Sequence, residues 1–100
     1  MTTLIALVKE TQYGEENIYD TVVRAARFEE LAKAFGATVK GLYWTLGAYD
    51  GVLVLDVPDS KTGAALLYRL TSGGSVRVEV LTAFNADEMT AILSRSQQVD

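Results

Sequence analysis

The chain has no cysteine and no histidine, and only one proline and one tryptophan, in 100 residues. Without thiol or imidazole it is barred from Ser-His-Asp and Cys-His nucleophile pairs, thiolate redox chemistry, Cys/His zinc sites and histidine-ligated haem. A haem role is disfavoured without histidine, although a tyrosine ligand is chemically open. Positive charge is also short. Nine Lys and Arg stand against thirteen Asp and Glu, a formal net charge of -4, so broad attraction to phosphate backbones or anionic lipid has no basis. Neither nucleic acid nor a membrane surface is expected as a partner. No apolar run approaches the roughly 18 residues of a membrane span. The start, Met1-Thr2-Thr3-Leu4-Ile5-Ala6-Leu7-Val8-Lys9-Glu10, lacks the basic flank and small-residue cleavage site of a signal peptide. Together with the missing cysteine, this predicts a cytoplasmic protein.

What is present is an ordinary folding composition, 49% hydrophobic and 22% charged. The length suits one core, so we expect a single domain over residues 1–94 and a polar tail over 95–100. Carboxylate, tyrosine, lysine, arginine and backbone chemistry remain, and no cofactor is implied.

Residues 3–9 are apolar and β-compatible and stop at the polar Thr11-Gln12-Tyr13-Gly14. After an acidic bridge, Asp20 is placed to cap a helix over 21–35, where Ala25, Phe28, Leu31, Ala32 and Phe35 recur at helical spacing until Gly36. Residues 38–46 and 51–57 are rich in branched and aromatic side chains and flank Gly47-Ala48-Tyr49-Asp50, which predicts a β-hairpin. Pro58 ends the third strand. Asp59 or Ser60 can then cap a second helix with Gly63, Leu66, Leu67 and Leu70 on one stripe, closed by Ser72-Gly73-Gly74. Residues 75–83 alternate as a strand with one wetter side, and Asn85 with Glu88 announces a short terminal helix through about Leu93. The order β-α-β-β-α-β is the ferredoxin-like plait, an α+β fold in which a four-stranded antiparallel sheet carries two helices on one face.

Alternation then fails where a monomer needs it. The first strand offers Leu4, Ala6 and Val8 on one side and Ile5 and Leu7 on the other. The third sets Val52 and Val54 against Leu53 and Leu55, and the second sets Leu42, Trp44 and Leu46 against Val39 and Tyr43. Two helices cover one face only, and soluble monomers rarely expose an apolar patch beyond a few hundred Å². Self-association is expected, with two sheets packed face to face as a homodimer or higher homo-oligomer.

Chemistry-bearing residues are few. Gly47-Ala48-Tyr49-Asp50-Gly51 is readable as a hairpin connection whose glycines take unusual backbone angles. The functional alternative is a pocket mouth, with Tyr49 a hydrogen-bond donor or proton-transfer group and Asp50 a base or anchor. Tyr43 and Trp44 point to opposite faces, one under the helices and one toward a partner or cavity, and core packing is the plainer reading of both. Arg24, Arg27 and Arg77 suggest surface pairing with Glu29 or Glu79. Glu10, Glu15, Glu16 and Asp20 match no ordered cation loop, so no metal is assigned. Ser72-Gly73-Gly74-Ser75 follows a helix instead of opening one, the wrong polarity for a phosphate cradle.

The run Val39 to Asp50, with its Tyr43-Trp44-Thr45-Leu46-Gly47-Ala48-Tyr49-Asp50 core, followed by Val57-Pro58-Asp59 and Gly74-Ser75-Val76-Arg77-Val78, resembles the GYD domain family. The likeness spans nearly the whole chain, departing at Thr21-Val22 and in the loop before the fourth strand. It implies a dimeric α/β barrel of ferredoxin-like protomers. The functional expectation is a small homo-oligomer holding a small organic ligand between sheet and helices, with Tyr49, Asp50, Tyr43, Trp44 and Arg24 as ligand-binding candidates. The alternatives are a cofactor-independent enzyme of oxygenase or isomerase type, carried by Tyr49, Asp50 and an arginine, or a purely structural assembly protein. The enzyme reading rests on fold analogy.

Overall fold

The computed structural model describes residues 1–99. Its elements are β1 (Thr2–Glu10), α1 (Gln12–Glu16), a 3-10 turn (Ile18–Asp20), α2 (Thr21–Ala34), β2 (Thr38–Trp44), β3 (Gly51–Val57), α3 (Ser60–Ser72), β4 (Val76–Ala83) and α4 (Ala86–Ser96). The strands form one sheet in the order β2-β3-β1-β4 with every pair antiparallel. This is the ferredoxin-like plait expected from the sequence, with a short C-terminal helix. Among the described residues no helix is long and apolar enough to cross a membrane.

The local signals act largely as their chemistry demands. The Asp59 carboxylate accepts from the Thr62 amide at 2.8 Å and starts α3, which holds Asp59 below the usual carboxylate range. Asn85 and Glu88 form a reciprocal capping box at 2.8 and 2.9 Å, and α4 runs on to Ser96, past the expected end at Leu93. Residues 95 and 96 therefore belong to this helix, and Asp100, the last of the expected tail, lies outside the described residues. Asp20 does not cap α2 through its side chain. The 3-10 turn before it already runs in helical geometry, so Asp20 has ψ 0° in place of the extended backbone a cap needs. The acidic bridge is instead α1, capped by Thr11, whose hydroxyl accepts from the Gly14 amide at 3.1 Å.

One layer of the core lies between the sheet and α2 and α3. Leu4 and Ala6 of β1 and Leu53, Leu55 and Val57 of β3 meet Phe28 and Ala32 of α2 and Leu66 and Leu67 of α3. Each fully buried leucine contributes on the order of 1.5–3 kcal/mol. In β2 the face assignment differs from simple alternation. A register shift between Val39 and Gly41 places Val39 and Leu42 together against the core, opposite Leu55 and Leu53. Trp44 follows on the same side, and its indole N–H donates to the Thr21 hydroxyl of α2 at 3.0 Å. β2 also stops at Trp44, leaving Leu46 fully exposed in the turn.

Among the described residues no helix packs on the other face. Ile5 pairs with Val54 and Leu81, Leu7 with Val52, and Tyr43 with Val52, which sets an apolar field on the side away from α2 and α3. α4 buries none of its residues and shows Met89, Ile92 and Leu93 on one stripe. With α4 reaching outward, the Cα radius of gyration is 15.4 Å, against about 13 Å for an isolated 100-residue domain.

Gly63 marks the closest approach of α3 to the sheet: a Cβ there would stand 2.7 Å from Leu4 Cδ1 and 3.0 Å from a Val57 methyl. Gly63→Ala should therefore lower stability by about 1–2 kcal/mol although alanine favours helix by about 1 kcal/mol. Urea unfolding of the two proteins measures the difference, and an unchanged or raised midpoint contradicts this packing.

Candidate functional site

The last inward-facing residue of β1 is an acid. Leu4, Ala6 and Val8 line the core face, and Glu10 continues that parity, so its side chain points beneath α2 and is only 7% exposed. Gly14 makes the room. A Cβ on it would collide with the Glu10 carboxylate and the Ser75 carbonyl, so no other residue fits where α1 crosses the end of the strand. The Thr11 amide donates to the Ser75 carbonyl at 3.0 Å and its hydroxyl to the Gly74 carbonyl at 2.6 Å, tying α1 to the start of β4.

Arg24 of α2 faces this acid. Its Nη1 stands 3.6 Å from Glu10 Oε2, an ion pair too long for a hydrogen bond, and its Nη2 donates to the Asn17 carbonyl at 3.4 Å. Glu10 Oε2 and Arg24 Nε are both buried with no hydrogen-bond partner. A buried polar atom left this way costs about 1–3 kcal/mol, so the pair is held in a state that a bridging group would relieve. Asp50 joins from the β2–β3 turn, its Oδ2 accepting from the Glu10 amide at 2.8 Å while its own amide donates to the Val8 carbonyl at 2.8 Å. Gly47, at φ +122°, lets the turn close, with the Thr45 amide donating to the Asp50 carbonyl at 2.9 Å. Gly51, unlike Gly47, is an extended β3 residue without unusual angles.

These groups border a recess of about 90 Å³ between α2 and the sheet. Val8, Ala25, Phe28, Leu42 and Leu53 form its apolar wall, with Thr21 and Trp44 at the α2 end. Trp44 is half exposed there. Of the residues singled out in the sequence, Arg24, Asp50, Tyr43 and Trp44 border this recess, Tyr43 from the edge strand and largely exposed. Arg24 was expected at the surface. The inward acid draws it under the helix, because a guanidinium beside a buried carboxylate offsets part of that carboxylate's desolvation.

Tyr49 is elsewhere. Its phenol donates to Glu79, and Glu79 sits opposite Leu7 on the sheet face away from the helices. The hydrogen bond, then the Glu79 charge, raise the phenol above its ordinary value of 10.0. Glu10, Thr21, Phe28 and Ser75 were not singled out from the sequence as site residues. Glu10 had a signal: an acid on the parity of Leu4, Ala6 and Val8.

The family model of the GYD domain matches residues 4–93, and the chain belongs to that family. The chain is 34% identical over 94 residues to the glutamine synthetase and cystathionine beta-lyase binding protein of Thermus thermophilus, covering 93% of this chain and 99% of that one. Its fold is similar to that of the feast or famine regulatory protein of M. tuberculosis, solved in complex with L-methionine, at a TM-score of 0.65 and 19% identity. That likeness covers 86% of this chain but only 52% of the other, so the chain spans about half the length of the structure it matches.

The Tyr49–Glu79 bond favours the protonated phenol. Its contribution is complete below the unfolded phenol's pKa near 10.0 and is lost as pH rises through the higher folded value. A pH titration of the Tyr49 ring by NMR should find its midpoint above 10.0, moving down in Glu79→Gln. A midpoint at or below 10.0 in the unaltered protein contradicts the bond.

Proposed function

We propose that this member of the GYD domain family is a homo-oligomeric binding protein that takes a small organic molecule into the recess between α2 and the sheet. The observation that carries the reading is the half-satisfied Glu10–Arg24 pair in an apolar pocket. Ligand sites combine such walls with a few convergent polar groups, whereas a purely structural ion pair is normally closed by hydrogen bonds. Arg24 and Asp50 would orient the polar end of the ligand and Trp44 would flank its entry, while the Tyr43 side chain, paired with Val52, turns to the far face of the sheet. The Thermus relative is named for binding two enzymes, glutamine synthetase and cystathionine beta-lyase, which supports a binding role without specifying a small ligand, and the structural neighbour is complexed with L-methionine.

The enzyme alternative required Tyr49, Asp50 and an arginine to converge. Asp50 and Arg24 do border one recess, but Tyr49 turns to the opposite face, where its phenol donates to Glu79. A donor and base separated by the sheet do not share a substrate, which favours binding over turnover.

Self-association belongs to the same proposal. Among the described residues no helix packs on the apolar field of half-buried Ile5, Leu7, Val52 and Val54 and exposed Leu81, the stripe on α4 is exposed, and an isolated 11-residue helix is only marginally stable in water. A second copy presenting the same face covers both by two-fold symmetry.

Trp44 is the only tryptophan, so its indole N–H reports on the recess without ambiguity. In an NMR screen of small organic fragments, binders should shift that resonance in the unaltered protein. They should not shift it in Ala25→Phe, where the added ring fills the recess; Ala25→Leu serves if the larger side chain prevents folding. Fragments that bind only elsewhere, or equally well to the filled variant, contradict the reading.

A further inference from the structure

We infer that the recess selects a neutral ligand whose head group both donates and accepts a hydrogen bond, a hydroxyl above all, carried on an apolar body no larger than one ring. This rests on the proposed ligand-binding role of the recess and adds the chemistry of what enters it.

The argument is one of matching groups. Glu10 Oε2 can only accept, and Arg24 Nε–H can only donate. Both are buried, both lack a partner, and they belong to side chains that approach each other to 3.6 Å. A hydroxyl satisfies both at once, donating its proton to Glu10 and accepting from Arg24 through a lone pair. A primary carboxamide can do the same with two atoms.

Charged heads fail for opposite reasons. A carboxylate would bring a third negative group beside Glu10 and Asp50, against the single guanidinium of Arg24. It would also have no proton to offer Glu10. An ammonium would satisfy Glu10 but has no lone pair for Arg24 Nε and would face the guanidinium charge. A carboxylate thus meets a net negative cluster and an ammonium leaves Arg24 Nε buried and unpaired, so the neutral donor-acceptor is the head that pairs with both orphaned atoms.

Size sets the body. An enclosed apolar cavity of about 150 Å³ accepts benzene. A recess of about 90 Å³ open beside Trp44 therefore admits one ring at most, with part of that ring against Phe28 and Leu42 and part at the mouth.

Phenol, benzoate and benzylamine share a ring and differ in the charge of the head, so titrating each against the Trp44 indole resonance at neutral pH separates the cases. Phenol should bind at least about tenfold more tightly than either ion, a difference of about 1.4 kcal/mol. In Glu10→Gln the acceptor-only group and one negative charge are gone, so the margin of phenol over benzoate should shrink several-fold. Benzamide, the neutral carboxamide, should stay with phenol in the unaltered protein. Benzoate or benzylamine binding as tightly as phenol overturns the inference while leaving the recess a ligand site. If none of the four moves the Trp44 resonance but other fragments do, this head-group chemistry is wrong and the binding role stands. If no fragment of any kind moves it, both fall together.

Discussion

A four-stranded sheet with apolar residues on both faces, and two long helices, α2 and α3, lying against one of them, is the constraint from which the other features follow. On the helix side, close contact at Gly63 and the Leu4, Leu55 and Leu66 layer excludes water and fixes the register of the sheet. That register decides which residue of β1 comes last beneath α2. It is Glu10, and an acid delivered there by strand parity draws Arg24 inward and leaves a recess around the pair. The site is thus a consequence of the fold's geometry at the end of one central strand, where core packing gives way to polar groups.

The opposite face obeys the same alternation. Ile5, Leu7, Val52 and Val54 alternate with Leu4, Ala6, Leu53 and Leu55 along their strands and so face the other way. A sequence selected only for a monomer would carry polar residues at those positions. The outlying α4 belongs to the same picture: its capping box fixes where it starts, but among the described residues nothing buries its Met89, Ile92 and Leu93 stripe. On our proposal a second copy supplies that contact, and the two-sided sheet becomes the centre of an assembly with the ligand recess on its outer flank, under α2. Assembly and ligand binding then use opposite faces of one sheet.

Much of this was legible in the sequence because local chemistry and tertiary structure agree. Pro58-Asp59, Asn85 with Glu88 and the glycines after α2 and α3 act through near neighbours, so their effects can be read without knowing the fold. The failure of alternation in β1 and β3 was legible for the same reason. The register shift at Val39 to Gly41 was not, because a bulge is set by how β2 meets β3 and leaves only a glycine as its trace. Short helix α1 was hidden by Gly14, a turn signal by composition that the structure uses for close approach to Glu10. Tyr49 and Asp50 are adjacent in sequence, which suggested a shared site. Successive residues in an extended turn point apart, and they serve opposite faces. Arg24 and Glu10 are distant in sequence and no spacing rule connects them; only the parity of Glu10 with Leu4, Ala6 and Val8 pointed inward.

Sedimentation equilibrium of the purified chain across a dilution series tests the two-sided sheet most directly. The account predicts a mass at least twice the 10.9 kDa of one chain, dissociating with loss of helix and thermal stability when Leu7→Asp or Val54→Asp places charge on the uncovered face. A stable particle of 10.9 kDa at all concentrations, unaffected by either charge, would contradict it.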